Sequence, residues 1–357
     1  MGRRWLGTRA QRCCGSSRTL EPGGSARMLR FNDGSAVTAQ TVTLATRVSY
    51  RRLAAPGLEA LTGCGAFYGS ARDRRSMDKP SSPAPARAPL RSRLRALTGP
   101  PYRRSETPMK MTGNTILITG GTSGIGLGLA LRLHEAGNKV VVAGRRKELL
   151  DGITAEHPGI DGLVLDIADP DSIARARETV AASYPGLNVL VNNAGIMLRE
   201  NLLDPAELPV AEDHVATNLL GTIRMTYAFL PLLAGKDDAV VMNVTSALAF
   251  VPYPSTPTYS ATKAALHSFS ESLRIQLAGA DAGVQVIEVA PPGVRTTLLG
   301  QEDNEHAMPL DDFLTQTLDL LREKPDAKEL VVEDARFIRD AQANGSYDNV
   351  LAMITSS

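Results

Sequence analysis

The chain has 357 residues, 43% hydrophobic and 22% charged, with a formal net charge of +1. That near-neutral total hides two unlike pieces: residues 1–110 carry 21 basic against 6 acidic residues, a net of +15, and the remainder carries 18 against 32, a net of −14. All three cysteines (Cys13, Cys14, Cys64) lie in the first piece, which excludes a disulfide framework or thiolate metal site from the second, and no apolar run approaches the ~20 residues that cross a bilayer. A soluble, cytoplasmic protein with no metal centre and no membrane contact is expected.

Residues 1–110 form a basic extension expected to be disordered. Ser81-Ser-Pro-Ala-Pro-Ala-Arg-Ala-Pro-Leu90 and Gly99-Pro-Pro101 cannot continue helix or sheet, and the weak alternation of Ser35 to Val48 has nothing to pair with. A transit peptide, a nonspecific nucleic-acid arm and a partner tether compete with the plainer expectation. On that expectation the segment is not part of the native protein, which begins at Met109 or Met111.

From residue 111 to 357, strands and helices alternate as one domain of about 245 residues, enough for a substantial core. The predicted strands are Thr115–Ile118, Lys139–Ala143, Gly162–Leu165, Asn188–Val191, Ala239–Asn243, Val284–Val289 and Glu329–Val332. Helical stretches such as Ser172 to Ser183 and Asp213 to Leu233 separate them. This order predicts an α/β fold, a doubly wound parallel seven-stranded sheet of Rossmann type in a single domain.

The first strand runs into Thr119-Gly-Gly-Thr-Ser-Gly-Ile-Gly126, after which Leu129 and Leu133 recur at helical spacing and Gly137 stops the run. Glycines allow close backbone approach, and a helix N-terminus offers unpaired N–H groups to a pyrophosphate. Gly120, Thr122, Ser123, Gly124, Ile125 and Gly126 are therefore candidate dinucleotide contacts. After the second strand, an acidic residue would bind the ribose 2′-OH of NAD; Arg145 and Arg146 stand there instead and suit a 2′-phosphate. NADP(H) is thus preferred and NAD(H) possible, against the plain reading of two surface arginines opening a helix. Asp166-Ile167 follows the third strand, where Asp166 alone could equally cap a helix. Asn192-Asn193-Ala194-Gly195 ends the fourth, where short amides can satisfy loop backbone and Gly195 permits close approach.

Tyr259-Ser-Ala-Thr-Lys263 places a phenol and an ammonium one helical turn apart on one face. A tyrosine titrating near 10 is a poor acid–base group at neutral pH; a neighbouring ammonium favours the phenolate, and about 4 kcal/mol of differential stabilisation brings it to neutrality. Such a tyrosine can exchange a proton with a carbonyl or alcohol oxygen. Ser246, thirteen residues upstream at a strand end, can hydrogen-bond that oxygen. Asn218, inside an otherwise apolar helix, is by itself as readily a satisfied core residue as a functional one.

Together these motifs resemble the short-chain dehydrogenase/reductase family, in its compact NADP-preferring branch, and the stretches Gly113–Gly126 and Ala264–Ser268 resemble its DltE-like bacterial oxidoreductases. The resemblance covers Met111 to the C-terminus. It implies hydride transfer, with Ser246, Tyr259 and Lys263 catalytic and Asn218 holding a water that links the lysine to solvent. It also implies an Asp166 contact to the adenine amino group, and a homodimer or homotetramer built on the helices carrying Asn218 and Tyr259. Ser123 stands where some NADP-dependent members carry a basic residue. After the sixth strand the family commonly has Pro-Gly-x-Val-x-Thr; Pro291-Pro292-Gly-Val294-Arg-Thr296 departs by one proline, which stiffens the turn while leaving Pro291, Val294 and Thr296 as expected nicotinamide contacts.

The apolar segment Ala247 to Thr258, with Phe250 and Tyr253, and a solvated lid from Thr297 to Pro309 are expected to wall the substrate pocket. A small-molecule carbonyl or secondary alcohol fits the first, and no basic residue marks a carboxylate site. The rival expectation is a non-catalytic NADP(H)-binding sensor or scaffold; nucleic-acid binding is not expected of this domain.

Overall fold

A computed structural model of the chain describes residues 108–280 and 282–356. The readings made on residues 1–107, including the alternation at Ser35 to Val48, lie outside the described residues.

Seven strands make one parallel sheet in the order β3-β2-β1-β4-β5-β6-β7. They are β1 (Thr115–Thr119), β2 (Lys139–Gly144), β3 (Ile160–Val164), β4 (Val189–Asn192), β5 (Ala239–Val244), β6 (Val284–Val289) and β7 (Glu329–Leu330). The helices between them are α1 (Gly124–Glu135), α2 (Lys147–Glu156), α3 (Pro170–Ser183), α4 (Leu208–His214), α5 (Thr222–Leu233), α6 (Pro257–Gly279), α7 (Leu310–Glu323), α8 (Glu333–Arg339) and α9 (Tyr347–Ser356). No described helix is long and apolar enough to cross a membrane.

The inner strands β1, β2 and β5 are rich in β-branched residues and buried on both faces, as a parallel sheet between helical layers requires, while edge strand β3 is partly exposed. Alternation sends their side chains to two cores. Ile116, Ile118, Val140, Val142, Val191 and Val240 meet Leu129, Leu133, Phe313 and Leu314 from α1 and α7 on one face. Leu117, Val141, Leu190 and Val241 meet Ile173, Val180, Met225, Phe229 and Leu273 from α3, α5 and α6 on the other.

Two strands differ from expectation by two residues at one end, and β1, β2, β4 and β5 by a single residue at one or both ends. β3 begins two residues earlier, because Ile160 to Val164 pair in register with Val140 to Gly144, and Leu165 N–H adds a last bond to Gly144 O (2.9 Å). β7 keeps only Glu329 and Leu330 paired, against Glu288 and Val289; Val331 and Val332 are buried but lead into α8. The stretch expected as one helix from Asp213 to Leu233 is interrupted by a wide π-turn at Val215–Gly221.

Chain order reverses direction at β1, with β2 on one side and β4 on the other. A ligand crevice in such a sheet opens beyond the carboxyl ends of the strands at that point. Asparagines close the opposite end: Asn114 Nδ2 donates to Asn138 Oδ1 (2.7 Å), Asn188 Nδ2 to Asn114 Oδ1 (3.0 Å), and Asn138 Nδ2 to Leu133 O (2.7 Å). These buried amides tie the starts of β1, β2 and β4 together.

Candidate active site

The turn after β1 is shaped by its glycines. Gly120 has φ +65°, and a Cβ there would lie 2.7 Å from Ala194 Cα. At Gly126 a Cβ would run into Gly120 O and Asn193 Nδ2. Asn193 locks the turn against β4, donating from Nδ2 to Thr119 O (3.1 Å) and Gly120 O (3.2 Å), while Thr119 Oγ1 accepts from the Asn193 and Ala194 N–H groups. Ser123 precedes α1 without a side-chain capping bond, which leaves the first N–H groups of α1 to face the cavity beyond.

That cavity is about 1000 Å³ and runs across the carboxyl edge of the sheet. One end is walled by Gly120, Thr122, Ser123, Gly124 and Ile125, with Arg145 and Arg146 at the end of β2. Arg146 Nη2 donates to Thr122 Oγ1 (3.2 Å), and both arginines are exposed with no described carboxylate paired to them. Asp166 and Ile167 flank the same end. Asp166 does not cap α3: Asp169 does, accepting from Asp171 N–H, while Asp166 Oδ1 accepts from Ala168 N–H (2.9 Å).

At the other end, Ser246, Tyr259 and Lys263 share the cavity wall with Asn193, Ala194, Gly195, Pro291, Val294 and Thr296. Pro257 opens α6 at a position where its missing N–H costs nothing, and so sets Tyr259 in the first turn and Lys263 in the second. Both side chains are 5% exposed. Lys263 Nζ lies 5.5 Å from the Tyr259 ring centroid and donates to Val244 O at the end of β5 (2.9 Å). Burial pushes the tyrosine up to about 12, only partly opposed by hydrogen bonding with Ser246. Burial takes Lys263 down to about 8, opposed by the charge of Glu288. The expected downward shift of Tyr259 under Lys263 is thus not found; desolvation of the phenolate raises it instead.

Asn218 and Gly126 do not line the cavity. Asn218 is fully buried in the π-turn, where its Oδ1 accepts from Ile196 N–H (2.8 Å) and its Nδ2 donates to Ile196 O (2.8 Å). This two-way clasp fixes the backbone next to Gly195, and the Gly195 position approaches both Asn218 Oδ1 and Lys263 Nζ.

The substrate walls differ from the sequence reading in three ways. Tyr253 and Leu248 line the cavity, but Phe250 turns away and packs edge-on to His267 (4.8 Å) beneath Arg339 (4.6 Å). The segment from Thr297 is mostly exposed and lines the cavity as expected, but it is strapped down by Arg295, whose guanidinium donates to the carbonyls of Asn304, Glu305 and Ala307. The C-terminal helices, unassigned in the sequence, contribute Phe337, Ile338 and Ile354, and Arg199 reaches the wall from the loop after β4.

Two buried groups next to the site also escaped the sequence. His214 lies edge-on to Tyr259 (6.2 Å), its Nε2 accepting from Leu198 N–H (3.0 Å) and burial holding it below its ordinary titration range. Its signal was the four-residue spacing to Asn218. Glu288 is fully buried in β6, where it was the one charge in an apolar run.

A model of the short chain dehydrogenase family matches residues 114–307. An uncharacterized oxidoreductase of Bacillus subtilis (strain 168), DltE, is 39% identical over 254 residues, covering 70% of this chain and 99% of that protein. Among solved structures, a short chain dehydrogenase from Burkholderia cenocepacia J2315 in complex with NADP has a TM-score of 0.59 at 26% identity and covers 69% of this chain and 99% of its own. A 3-ketoacyl-(acyl-carrier-protein) reductase from Brucella melitensis complexed with NADH has a TM-score of 0.56 at 27% identity, covering 62% and 98%.

Proposed function

The chain belongs to the short-chain dehydrogenase/reductase family and is an oxidoreductase, and from that premise we propose that it is an NADPH-preferring carbonyl reductase in which Tyr259 is the proton donor. The observation that carries this reading is the convergence of Ser246, Tyr259 and Lys263 on a cavity whose far end is a glycine turn. The residues fit a nicotinamide dinucleotide: the uncapped start of α1 suits a pyrophosphate, and Arg145 and Arg146 suit a 2′-phosphate. Asp166 and Ile167 would flank the adenine, and Pro291, Val294 and Thr296 the carboxamide. When bound, the dinucleotide supplies the hydride.

This chain's own residues handle the oxygen and the proton. A tyrosine pushed up to about 12 by burial is a neutral phenol at pH 7, the form that donates to a carbonyl oxygen. Ser246 hydrogen-bonds the carbonyl oxygen and aims it at the phenol. Lys263, anchored on Val244 O, steadies the phenolate left after donation. Asn218 acts through the loop it clasps, as a member of the proton path. Leu248, Tyr253, Phe337 and Ile354 give the substrate end an apolar side that suits the hydrocarbon part of a ketone or aldehyde, while Arg199, Glu333 and Asp334 add polar groups to the same wall. Exposed Tyr227 on α5 (75%) and Ile275 on α6 (67%) support a dimer or tetramer built over those helices.

The test is NADPH and NADH oxidation by the full chain against a carbonyl panel, with Tyr259→Phe beside the wild type. Tyr259→Phe should bind NADPH within about threefold of wild type and lose at least about a thousandfold in kcat. Undiminished turnover in that variant would refute the assignment.

A further inference from the structure

Behind the proposed acid–base residues lies a second set of charges that the reaction as described does not use. One helical turn beyond Lys263, His267 Nδ1 faces Glu288 at 2.9 Å (Oε2) and 3.1 Å (Oε1). The same Glu288 Oε1 accepts from Thr245 Oγ1 at 2.7 Å. Thr245 sits between Val244, whose carbonyl anchors Lys263, and Ser246. β5 and β6 are paired in register here, Asn243 opposite Glu288 and Val244 opposite Val289. A fully buried carboxylate therefore holds, through one hydroxyl, the strand end that presents Ser246, and through one imidazole, the helix that presents Tyr259 and Lys263.

We propose that Glu288, clasped by Thr245 and His267, is a positioning residue: the buried counter-charge of Lys263 and the clamp on the strand end that carries Ser246. This rests on the reductase reading of the site.

A buried carboxylate is retained only when paired and hydrogen-bonded, and Glu288 has both. Its charge opposes the desolvation that draws Lys263 down to about 8, so it sustains the ammonium when the phenolate forms. The other groups facing Lys263 do not supply that charge. On its own helix these are Tyr259 and His267, the latter held above its ordinary range chiefly by its Glu288 bond. From β7 comes Glu329, 3.8 Å from His267 but paired with Arg339 of α8 at 2.8 Å. Across the tyrosine ring lie His214 and Glu200, 3.9 Å from each other. His267, Glu288 and Glu329 bring ligand-type atoms within 4.8 Å of one another. A cation there would have to displace the Arg339 fork on Glu329 and the Thr245 bond on Glu288, which makes the cluster an ion-pair network rather than a metal site.

The sign of the pH effect follows. Wild-type reduction should fall as pH rises through about 8, where Lys263 loses its proton. Removing the negative charge with Glu288→Gln should move that fall to lower pH by about one unit and lower kcat by at least about tenfold, with NADPH affinity within about threefold. Glu288→Asp, which keeps the charge, should keep the position of the fall. A profile of Glu288→Gln superimposable on wild type, with undiminished kcat, overturns the proposal. Should Glu288→Gln fail to fold, Thr245→Val tests the clamp alone: kcat should drop at least about threefold with the fall unmoved, and an unchanged kcat refutes the clamp. A wild type that binds NADPH but reduces no carbonyl counts against the reductase reading instead. In that case the Lys263 side-chain resonance of isotope-labelled lysine, assigned through Lys263→Arg, still reads the coupling. Its titration midpoint should shift down in Glu288→Gln, and an unmoved midpoint sinks the counter-charge.

Discussion

At the scale of single residues, burial decides the acidity of the site before pairing does. Tyr259 and Lys263 are four residues apart and both nearly inaccessible, and each is pushed toward its uncharged form. The phenol is thereby ready to give a proton, and the lysine is poised to hold or lose one just above physiological pH. Arg145 makes the opposite kind of contribution: an exposed, permanent charge at the cavity edge. Reversing it with Arg145→Asp should weaken NADPH by at least about tenfold, some 1.4 kcal/mol, while NADH changes by less than about threefold. Fluorescence titration of both cofactors measures this directly, and equal losses would remove the case for a 2′-phosphate contact.

At the scale of elements, the site depends on places where regular structure gives way. The glycine turn packs so closely on β4 that Gly126 has no room for a methyl group. Gly126→Ala should cost about 1–3 kcal/mol in overpacking and abolish most dinucleotide binding, because the turn and the start of α1 must shift together. A denaturation midpoint and cofactor affinity both equal to wild type would show slack that the geometry does not contain. The π-turn at Val215–Gly221 is a second such place. A regular helix would carry Asn218 past Ile196; the widened turn lets its amide bond that backbone in both directions.

At the scale of the whole folded domain, residues far apart in sequence close one cavity. The proposed cofactor end is built from β1, β2 and β4, and the proposed substrate end from β5, α6 and the C-terminal helices. Phe337 of α8 is 45% exposed and lines that end, so the proposed reading has it touch substrate rather than fill the core. Phe337→Ala should raise KM for an apolar carbonyl about fivefold, with NADPH affinity and thermal midpoint near wild type. An unchanged KM for every apolar substrate would place the substrate elsewhere in the cavity.

Much of this was written in local sequence. Strand runs of Val and Ile, glycine spacing and the Tyr259–Lys263 interval are short-range patterns, and short-range patterns determine parallel strands, a dinucleotide turn and two side chains on one helix face. Their convergence in one crevice follows from the alternation of strands and helices. Only the tertiary structure decided the rest. Desolvation set the direction of the Tyr259 shift, and burial is a property of everything packed around a residue. The clasp of Asn218 on Ile196 joins a widened helical turn to a loop 22 residues away. Phe250 left the substrate wall because His267 and Arg339 offered it a better-packed partner. Glu288 is a lone charge in a β-run, and its partners Thr245 and His267 lie 43 and 21 residues away in sequence. Local periodicity cannot encode such meetings; they exist only once the sheet has been assembled.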